Sequence, residues 1–328
     1  MEAIQRSDAE TDGGSRRQAA PARLPATSRR RFLVIHNPLS GRGRHEALDI
    51  ALAELAAAGG ISTIVDARTY DEIHGAAWAA AQSGDFDAVV TAGGDGTIRA
   101  AASALVGGSL PLAIIPLGTG NVLAAELGLP RAPRAIVDLL RHGPEITVAC
   151  GLAGDEPFLL MVSAGFDAAI VRRFHPNPHA KRLLGKLAYS APILAELSER
   201  PPQFRVAIDG REMVCTWLVV ANARHYAGRF VIAPGRSITA PGFTALAVTT
   251  TSRLGLLRVM IDIASGHPPR PDLATLIDCR EVEIADARNV PLQADGDPLQ
   301  AARLVVAETK AALQVIAPAG AGTVVRNA

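Results

Sequence analysis

The sequence predicts two parts: an α/β domain built on a parallel sheet, and a second, β-rich domain of the sandwich type. In the first half, short apolar runs alternate with helical segments through short loops, which is typical of a parallel sheet with helices on both faces. Two glycine-rich turns, Gly93–Thr97 and Gly118–Asn121, each follow an apolar run, as expected at the carboxyl edge of such a sheet. In the second half, helices become rare and short β-rich runs dominate. Asp209-Gly210 between two of these runs is a strong hairpin signal.

We therefore expect a disordered tail over residues 1–30, an α/β domain over 31–150 and a β-sandwich domain over 151–328. The last strands of the sandwich could return to the first domain. The tail is rich in Ser, Arg, Ala, Asp and Pro and has no periodicity. We interpret its arginines as solvated, with contact to a membrane surface as the alternative.

The composition excludes several classes of protein. Of the 328 residues, 48% are hydrophobic and 20% charged, which allows a sizeable core. The net charge of +1 argues against a general nucleic-acid binder. Cys150, Cys215 and Cys279 are far apart and form no CxxC or Cys/His pattern. This argues against a disulfide framework or a zinc site and favours a reducing, cytoplasmic compartment.

The sequence also argues against a membrane span, since no apolar run approaches the roughly 20 residues that a bilayer requires. The segment Ser28–Leu33 resembles a twin-arginine export signal, but its apolar stretch, Phe32–Ile35, runs directly into His36-Asn37-Pro38. A signal needs a longer apolar stretch and a small-residue cleavage site. We therefore interpret these arginines as solvated residues before the first strand.

The elements of the first domain follow from apolar periodicity and from turn residues. Gly59-Gly60 and Gly84 are C-terminal stop signals for the helices before them. The expected strands are Phe32–His36, Ile61–Asp66, Ala88–Ala92, Leu112–Pro116 and Glu145–Ala149, and the expected helices are Glu46–Ala58, Asp71–Ser83, Ile98–Val106 and Pro133–Arg141.

The second domain is expected to be largely antiparallel, because its β-rich runs are short and separated by turn signals. The expected strands are Phe158–Val162, Phe204–Ile208, Met213–Val220, Ala245–Thr250, Glu281–Ile284, Arg303–Ala307 and Leu313–Ala317, with helices at Lys186–Leu197 and Leu254–Ser265.

The two glycine turns carry the clearest chemical signal. Glycine lets the backbone approach a ligand closely, and the helix N-termini that follow present free N–H groups to anions. A purely structural turn does not require Asp95 between flexible glycines. We therefore predict a phosphate site with a metal-binding or proton-transfer group built in, and a structural turn is the alternative.

Weaker candidates have equally good structural explanations. The segment Ser40–Gly43 could bind phosphate but lacks the Walker A pattern, so a plain strand-to-helix turn is the alternative. Asp167 could orient a substrate hydroxyl or cap a helix. The turn Asp295-Gly296-Asp297 could be only a hairpin. His175 and His179 have helical spacing, but the prolines beside them argue against a metal pair.

Taken as an ordered set, these motifs resemble the catalytic domain of diacylglycerol kinases, which bacterial lipid kinases and sphingosine and ceramide kinases share. The resemblance rests on Asn37-Pro38-x-Ser40-Gly41, Gly93-Gly94-Asp95-Gly96-Thr97 and Pro116-Leu117-Gly118-Thr119-Gly120-Asn121, followed in order by Gly165-Phe166-Asp167-Ala168, His225-Tyr226-Ala227-Gly228 and Asp295-Gly296-Asp297. It implies an amino-terminal domain like those of phosphofructokinases and NAD kinases, a β-sandwich domain, and ATP in the cleft between them.

The resemblance also implies roles for individual residues. Asp295 and Asp297 match the Asp-Gly-Glu motif that supplies the general base, Asp95 would help to position Mg-ATP, and Asp167 matches a position near the lipid head group. The implied ATP-contacting residues are Asn37, Pro38, Leu39, Ser40, Gly41, Thr69, Gly93, Gly94, Asp95, Gly96, Thr97, Gly118, Thr119 and Asn121.

The sequence departs from the family pattern at several positions. Arg99-Ala100 stands where the family often has Asn-Glu, Val122 stands where an Asp often follows the asparagine, and Asp297 is one methylene shorter than Glu. The stretch Ala240-Pro241-Gly242 lacks the acids that bind a structural Mg2+ in some bacterial members. We therefore do not carry that metal site over, and the metal ligands stay unassigned.

The function expected from the resemblance is an ATP- and Mg2+-dependent lipid kinase that acts at the inner membrane surface, with diacylglycerol as the first candidate substrate. A sphingoid base or another lipid alcohol is the nearest alternative. A soluble kinase of the NAD kinase type and a non-catalytic lipid- or nucleotide-binding regulator are the others. We expect no nucleic-acid partner and no transmembrane segment, and a homodimer is compatible with the sequence.

Overall fold

The structure is a computed structural model that describes residues 28–40, 45–118, 120–174, 201–226, 228 and 230–322. Several sequence-based predictions lie outside these residues: residues 1–27 of the predicted tail, the helix Lys186–Leu197, the pair His175 and His179, and the candidate ligands Gly41 and Thr119. The prediction that Arg29 is solvated was wrong, because its side chain is buried and pairs with Glu145 at 2.7 Å.

Strands and helices alternate through the first part of the chain, as predicted. The helices are amphipathic or rich in small residues, and α2 has a complete capping box in which Thr69 and Glu72 pair reciprocally. The elements are β1 (Arg31–His36), α1 (His45–Ala57), β2 (Ile61–Asp66), α2 (Tyr70–Ser83), β3 (Ala88–Gly93), α3 (Asp95–Leu105), β4 (Leu112–Pro116), α4 (Val122–Glu126) and α5 (Pro133–His142).

The second part is dominated by strands. Its elements are β5 (Glu145–Ala153), β6 (Glu156–Phe158), β7 (Met161–Gly165), α6 (Phe166–Phe174), β8 (Phe204–Ile208), β9 (Arg211–Cys215), β10 (Trp217–Ala221), β11 (His225–Tyr226), β12 (Phe230–Val231), β13 (Phe243–Val248), α7 (Arg253–Ala264), β14 (Ala274–Cys279), β15 (Glu281–Ile284), β16 (Leu292–Ala294), β17 (Asp297–Leu299) and β18 (Leu304–Ile316).

The first four strands form a parallel sheet in the order β2-β1-β3-β4, with α1 and α5 packed together as a pair and α2 against α3. One apolar cluster contains residues of α2 and α3 and another contains residues of α1 and α5, and both include strand residues. The carboxyl ends of β1, β2, β3 and β4 therefore meet at one edge of the sheet. We call this half of the molecule the parallel layer.

The last strand connects the two parts of the molecule. β18 lies beside β4 in parallel orientation, pairs with β5 and β15 antiparallel, and has a bulge between Glu308 and Ala312. The sheet continues through β15 and β8 to β9. The predicted runs Arg303–Ala307 and Leu313–Ala317 are therefore one strand, because the polar residues between them lie in the bulge.

A second, antiparallel sheet has the order β14-β13-β10-β7-β16-β17. An apolar cluster that draws on both sheets fills the space between it and the β15-β8-β9 portion of the first sheet. This arrangement confirms the predicted fold class, a parallel α/β layer followed by a β-sandwich. We call this half of the molecule the sandwich.

Two predicted strands were wrong in extent. The run Met213–Val220 divides at Thr216, where the chain passes from β9 in one sheet to β10 in the other. Cys215 packs in the sandwich core before the corner, while Leu218 packs in that core and Trp217 in the cluster with α7 after it. The run is apolar on both sides of the corner, so the sequence pattern does not show it. The run Phe158–Val162 is also interrupted, since Leu159 and Leu160 lie between β6 and β7.

Candidate active site

The two predicted glycine turns lie against each other at the carboxyl edge of the parallel layer. A Cβ atom added to Gly118 would lie 2.5 Å from the Cα atom of Gly94, so no side chain fits there. The Ser40 hydroxyl is also close, at 4.0 Å from the position of a Cβ atom on Gly94. The turns after β1, β3 and β4 thus converge on one small area with exposed backbone, as a phosphate site requires.

Asp95 ties the two turns together. Its Oδ1 atom accepts a hydrogen bond of 2.7 Å from the backbone N–H of Val122, the first residue of α4. Its Oδ2 atom lies 2.6 Å from the position of a Cβ atom on Gly120. The carboxylate therefore fixes the position of the second turn relative to the first, and it explains why a small residue stands at position 120.

Asn37 connects the turn after β1 to the same area. Its Nδ2 atom donates to the Thr97 hydroxyl at 3.2 Å, and its Oδ1 atom accepts from the backbone N–H of Leu39 at 2.9 Å. Pro38 and Leu39 continue this turn, with Leu39 exposed. The Thr97 hydroxyl in turn would lie 2.4 Å from a Cβ atom on Gly93, so Gly93 is required for this packing.

The remaining predicted ligands of the parallel layer differ in position. Gly96 is the second residue of α3, and a Cβ atom there would meet no other atom. Asn121 has a left-handed backbone (φ 49°), and its side chain donates to the Gly118 carbonyl at 2.5 Å. Thr69 lies at the same sheet edge, but its hydroxyl caps α2, and β1 separates its strand from β3.

Across the cleft, Asp295-Gly296-Asp297 forms the hairpin between β16 and β17, and Asp295 and Gly296 have positive φ angles of 49° and 91°. Both carboxylate oxygens of Asp295 are engaged. Oδ2 accepts from the backbone N–H of Leu159 at 2.7 Å, and Oδ1 accepts from those of Leu160 and Met161 at 2.8 and 2.9 Å. Burial raises the pKa of Asp295, and these three hydrogen bonds oppose the rise. Asp295 thus stabilises the break between β6 and β7.

Asp297 is placed differently from Asp295. Its side chain is 43% exposed and forms an ion pair with Arg99, the fifth residue of α3. The Arg99 guanidinium also lies 3.8 Å from a Glu156 carboxylate oxygen and 5.7 Å above the centre of the Tyr70 ring. Arg99 is only 14% exposed, so these contacts hold it at the boundary between the parallel layer and the sandwich.

A small cavity lies at this boundary, lined by Asp95, Ile98, Arg99, Leu123, Leu159, Leu160 and Asp295. It therefore brings together Asp95 of the first glycine turn, residues of α3 and α4, the break between β6 and β7, and the Asp-Gly-Asp hairpin. Sequence analysis identified Arg99 only as a departure from the family pattern and missed its position in the site. A charged residue near the start of a helix that follows a glycine turn was the available signal.

A buried carboxylate on α4 forms a second connection across the boundary. Glu126 has a fully buried side chain and accepts hydrogen bonds from Arg224 Nε at 3.2 Å, from the His225 backbone N–H at 3.1 Å and from the His225 ring. Burial opposes ionisation of Glu126, but hydrogen bonding and the positive charges of His225 and Arg224 bring its pKa below the ordinary value. Sequence analysis missed Glu126, since it has no motif of its own.

Asp167 lies behind the hairpin at the end of a buried polar chain. It is the second residue of α6, so the prediction that it caps the helix was wrong. Its Oδ2 atom accepts from Ser163 Oγ at 2.8 Å and from the Tyr226 hydroxyl at 3.1 Å. Ser163 Oγ accepts from Gln293 Nε2 at 2.7 Å, and Gln293 Oε1 accepts from the Gly296 backbone N–H at 2.7 Å.

This chain of hydrogen bonds connects Asp167 to the middle residue of the Asp-Gly-Asp turn. Burial raises the pKa of Asp167 to about 6, although Ser163 and Tyr226 favour the ionised form. Among the described residues, the second oxygen, Oδ1, has no hydrogen-bond partner. This oxygen is enclosed by the protein, so Asp167 is connected to the hairpin through its hydrogen-bond chain and not through an exposed oxygen.

Two further observations concern metals and membranes. Nowhere in the described ranges do three or more His, Cys, Asp or Glu side chains cluster as a ready metal site. Of the helices in the described part of the chain, none combines the length and the apolar character needed to cross a bilayer.

Comparisons with known proteins agree with this geometry. Residues 31–153 match the family described as the diacylglycerol kinase catalytic domain, and residues 160–317 match the YegS C-terminal NAD kinase beta sandwich-like domain. The chain is 33% identical over 303 residues to a Mycobacterium tuberculosis protein named "Diacylglycerol kinase", covering 87% of this chain and 94% of that protein. It is 31% identical over 252 residues to a Pseudomonas putida protein named "Probable lipid kinase YegS-like", covering 74% and 81%.

The fold has a counterpart among solved structures. A crystal structure described as a diacylglycerol kinase from Bacillus anthracis str. Sterne superposes with a TM-score of 0.65 and 17% sequence identity. The superposition covers 89% of this chain and 98% of that chain. At this identity the likeness shows the fold alone.

Proposed function

The chain belongs to the diacylglycerol kinase catalytic-domain family, and from this premise we propose that it transfers the γ-phosphate of ATP to a hydroxyl group of a lipid, with diacylglycerol as the substrate. Family membership makes the protein a phosphotransferase of the lipid kinase class. ATP, Mg2+ and the particular lipid are the proposed parts.

The observation that carries the proposal is the position of the partly exposed Asp297 carboxylate, paired with Arg99, opposite two touching glycine turns. The contact between Gly94 and Gly118 lies beside the N-terminus of α3, and because neither glycine has a side chain a phosphate could approach the backbone closely there. We assign the nucleotide to this edge, with Asn37, Ser40 and Thr97 at its margin. Gly41 and Thr119 are proposed ligands on sequence grounds alone.

Asp95 is the carboxylate best placed to act on the phosphates through a metal ion. Mg2+ in nucleotide sites uses one or two protein carboxylates and completes its shell with phosphate oxygens and water. Asp95 lies between the glycine turns, so the residues present fit such an ion. When bound, Mg2+ would neutralise phosphate charge. The protein itself keeps Asp95 and both turns in fixed relative positions.

On the acceptor side, we propose Asp297 as the general base. In the transfer step the lipid hydroxyl oxygen forms a bond to the γ-phosphorus, the bond to the bridging oxygen of ATP breaks, and the proton passes to Asp297. Asp295 is less suited, because three backbone N–H groups already occupy its oxygens. Arg99 lies beside both the phosphate edge and Asp297, so its charge would stabilise the transferred group.

Asp167 is proposed to position the acceptor indirectly. Its hydrogen-bond chain through Ser163 and Gln293 ends at Gly296, next to the proposed base. Asp167 is itself buried, so we propose that it acts on the acceptor through this chain and not by direct contact. Diacylglycerol is placed ahead of a sphingoid base because a relative that matches over 87% of this chain carries the name diacylglycerol kinase.

The experiment is incubation with labelled ATP and Mg2+, separately with diacylglycerol, a sphingoid base, an extract of native lipids, and NAD without lipid. The expected product is labelled phosphatidic acid. Labelled NADP in the lipid-free reaction would instead assign a soluble kinase. Tight ATP binding without transfer to any acceptor would assign a non-catalytic regulator. Since lipids are presented as bilayers, we expect the enzyme to act peripherally at the inner membrane surface.

A further inference from the structure

Helix α7 presents large aliphatic side chains to solvent on one side. Leu254, Leu257 and Ile261 are 77%, 40% and 49% exposed, and their spacing of three and four residues puts them on one face. The opposite face of the helix, with Leu256, Val259 and Ile263, is buried against the sandwich. The exposed side chains are therefore not needed for the helix to pack.

The short ribbon β11–β12 extends this apolar surface. α7 packs beside β12, whose residues Phe230 and Val231 are 44% and 36% exposed. We use the name aliphatic face for the aliphatic side chains of Leu254, Leu257, Ile261 and Val231 together with the neighbouring ring of Phe230. Contiguous exposed apolar side chains of this kind mark an interaction surface, whereas scattered ones need no explanation.

The charges on α7 indicate which partner fits. Arg253 and Arg258 are exposed, and the only carboxylate of the helix, Asp262, is buried and paired with Arg258 at 3.1 Å. The outer side of α7 thus combines aliphatic side chains with arginines and no exposed acid. This is the pattern of a helix that lies in the interface of an anionic membrane. A twofold contact with a second copy would bring arginines against arginines without a carboxylate from either helix.

The aliphatic face is also next to the proposed acceptor site. Tyr226 of β11 donates to Asp167, and it packs on the cluster that contains Leu256, Val259 and Ile263 of α7. Only the inner face of α7 therefore separates the aliphatic face from the groups that lead to the base. A bilayer at this face would present lipid head groups near the cleft.

We propose that the aliphatic face of α7 and β12 is the surface by which the protein docks on anionic membranes, with Leu254, Leu257 and Ile261 inserted among the lipids and Arg253 and Arg258 at the head groups. The proposal rests on the proposed function, because it supplies the lipid-bearing surface that such a kinase needs. It goes further by assigning the residues that meet the membrane.

The test compares two double variants of the full-length protein by vesicle co-sedimentation. The docking variant carries Leu254→Asp and Leu257→Asp. The control carries Ile50→Asp on α1 and Val214→Asp on β9, two other exposed aliphatic positions at 43% and 47% exposure. Thermal unfolding establishes that both variants are folded. Vesicles of phosphatidylcholine with and without phosphatidylglycerol serve as probes, at low and high salt.

We expect the parent protein to bind vesicles that contain phosphatidylglycerol, and the docking variant to bind them about tenfold less or worse. The control double variant should keep the parent affinity, and Arg253→Gln should weaken binding to the anionic vesicles only. Equal losses in both double variants, or none in the docking variant, would overturn the assignment. A concentration-dependent dimer that only the docking variant disrupts would assign the face to a second copy instead.

A second readout separates this surface from the proposed reaction. With a short-chain diacylglycerol dispersed as monomers, the docking variant should keep the parent kcat/KM, and with diacylglycerol in vesicles its rate should fall together with binding. If the parent protein binds vesicles through this face but phosphorylates no lipid, the docking surface would be supported and the proposed kinase activity would be refuted. A docking variant equally impaired on the monomeric substrate would refute the surface.

Discussion

Arg99 on α3 and Asp297 on β17 form an ion pair that bridges the parallel layer and the sandwich, although 198 positions separate them in the chain. The pair places a positive charge between the glycine turns and the carboxylate proposed as base. It also holds Asp297, which is one methylene shorter than the glutamate of the family motif, toward the parallel layer. Two of the departures from the family pattern are thus in direct contact.

Replacement of Arg99 by Ala should reduce activity far more than stability. Asp297 is 43% exposed, so the ion pair should contribute about 0–1 kcal/mol to folding, whereas loss of a charge at the transferred phosphate should lower kcat by about ten- to a hundredfold. Steady-state kinetics and thermal unfolding of the same preparations measure both effects. Arg303→Ala, which removes an exposed pair with Glu283, is the control and should leave kcat unchanged. An Arg99→Ala enzyme with parental kcat would refute this role.

Asp295→Asn should mainly lower stability, whereas Asp297→Asn should mainly lower activity. An amide at position 295 turns one of its two accepting oxygens into a donor that faces a backbone N–H, so unfolding free energy should fall by about 1–3 kcal/mol. Asp297→Asn should keep its stability and lose about a hundred- to ten-thousandfold in kcat.

Asp209→Asn is the matched control for position 295. Asp209 also has a positive φ angle (45°) in a hairpin, but it accepts both its backbone hydrogen bonds on one oxygen, which asparagine can supply. Asp209→Asn should therefore change neither the free energy of unfolding, measured in urea, nor kcat, measured by steady-state kinetics. Greater activity loss at 295 than at 297, with unchanged stability, would transfer the role of base to Asp295.

Asp95→Asn and Asp95→Ala separate the charge of Asp95 from its hydrogen bond. Asparagine can still accept from the Val122 N–H, so its unfolding free energy should stay within about 0.5 kcal/mol of the parent, while alanine should cost about 1 kcal/mol. Both should lower kcat by about a hundredfold or more if the charge positions Mg-ATP. Lipid-dependent ATP turnover and urea unfolding measure the two effects. Full turnover in the asparagine variant would refute the assignment of Asp95.

The sequence predicted that the two glycine turns lie together at the carboxyl edge of the sheet, because the residues that indicate a strand and the turn after it are adjacent in the chain. Gly93–Thr97 and Gly118–Asn121 follow neighbouring parallel strands, and neighbouring strands put their carboxyl ends together. The Asp-Gly-Asp hairpin was equally readable from its turn residues. Family resemblance then placed these local units on opposite sides of one cleft.

The contacts across the cleft could not be predicted in the same way. Arg99 with Asp297 and Glu126 with His225 are pairs between distant segments, and nothing near Arg99 or Glu126 in the sequence identifies the partner. The corner at Thr216 was missed because both strands beside it are apolar and continuous. The break at Leu159 and Leu160 was missed because the carboxylate that stabilises it belongs to Asp295, far along the chain.

The pH dependence of stability should reveal the buried Asp167. Its folded pKa, about 6, is above its ordinary value of 3.8, so folding favours the protonated form. Its stabilising contribution is complete below pH 3.8 and is lost as the pH rises through 6, a total of about 3 kcal/mol. Asp167→Asn should therefore gain stability relative to the parent as the pH rises across this window, in urea titrations at successive pH values.

Asp87→Asn provides a control of the opposite sign. Burial opposes ionisation of Asp87, but hydrogen bonds from the backbone of Arg30 and Arg31 lower its pKa overall. Its contribution is therefore present above the ordinary pKa and lost as the pH falls through the lowered one. The asparagine variant should lose stability relative to the parent at neutral pH and converge with it in acid. Identical pH profiles for the parent and the Asp167 variant would contradict the raised pKa.

We expect Arg236 to contribute more to the free energy of unfolding than Arg99, Asp95 or Asp295. Its buried guanidinium donates to the carbonyls of Asn222, Ala240 and Pro241 and to the Asn222 side chain. It thus places a positive charge at the carbonyls of Ala240 and Pro241, in the stretch to which we did not assign a metal site. Burial lowers its pKa to about 10, against the raising effect of Asp278 and Glu308, so it stays charged at neutral pH.

Arg236→Met should lower the free energy of unfolding by about 3–5 kcal/mol, because four buried acceptors lose their donors. Arg236→Lys should recover little, since an ammonium group cannot reach all four in the same plane. Urea unfolding measures both variants, and exposed Arg31→Met serves as the control, with a change within about 0.5 kcal/mol. A chelator should leave the parent's unfolding midpoint unchanged, because the guanidinium occupies this position. A large chelator effect in the parent, or a neutral Arg236→Met variant, would show that a metal stabilises this segment instead.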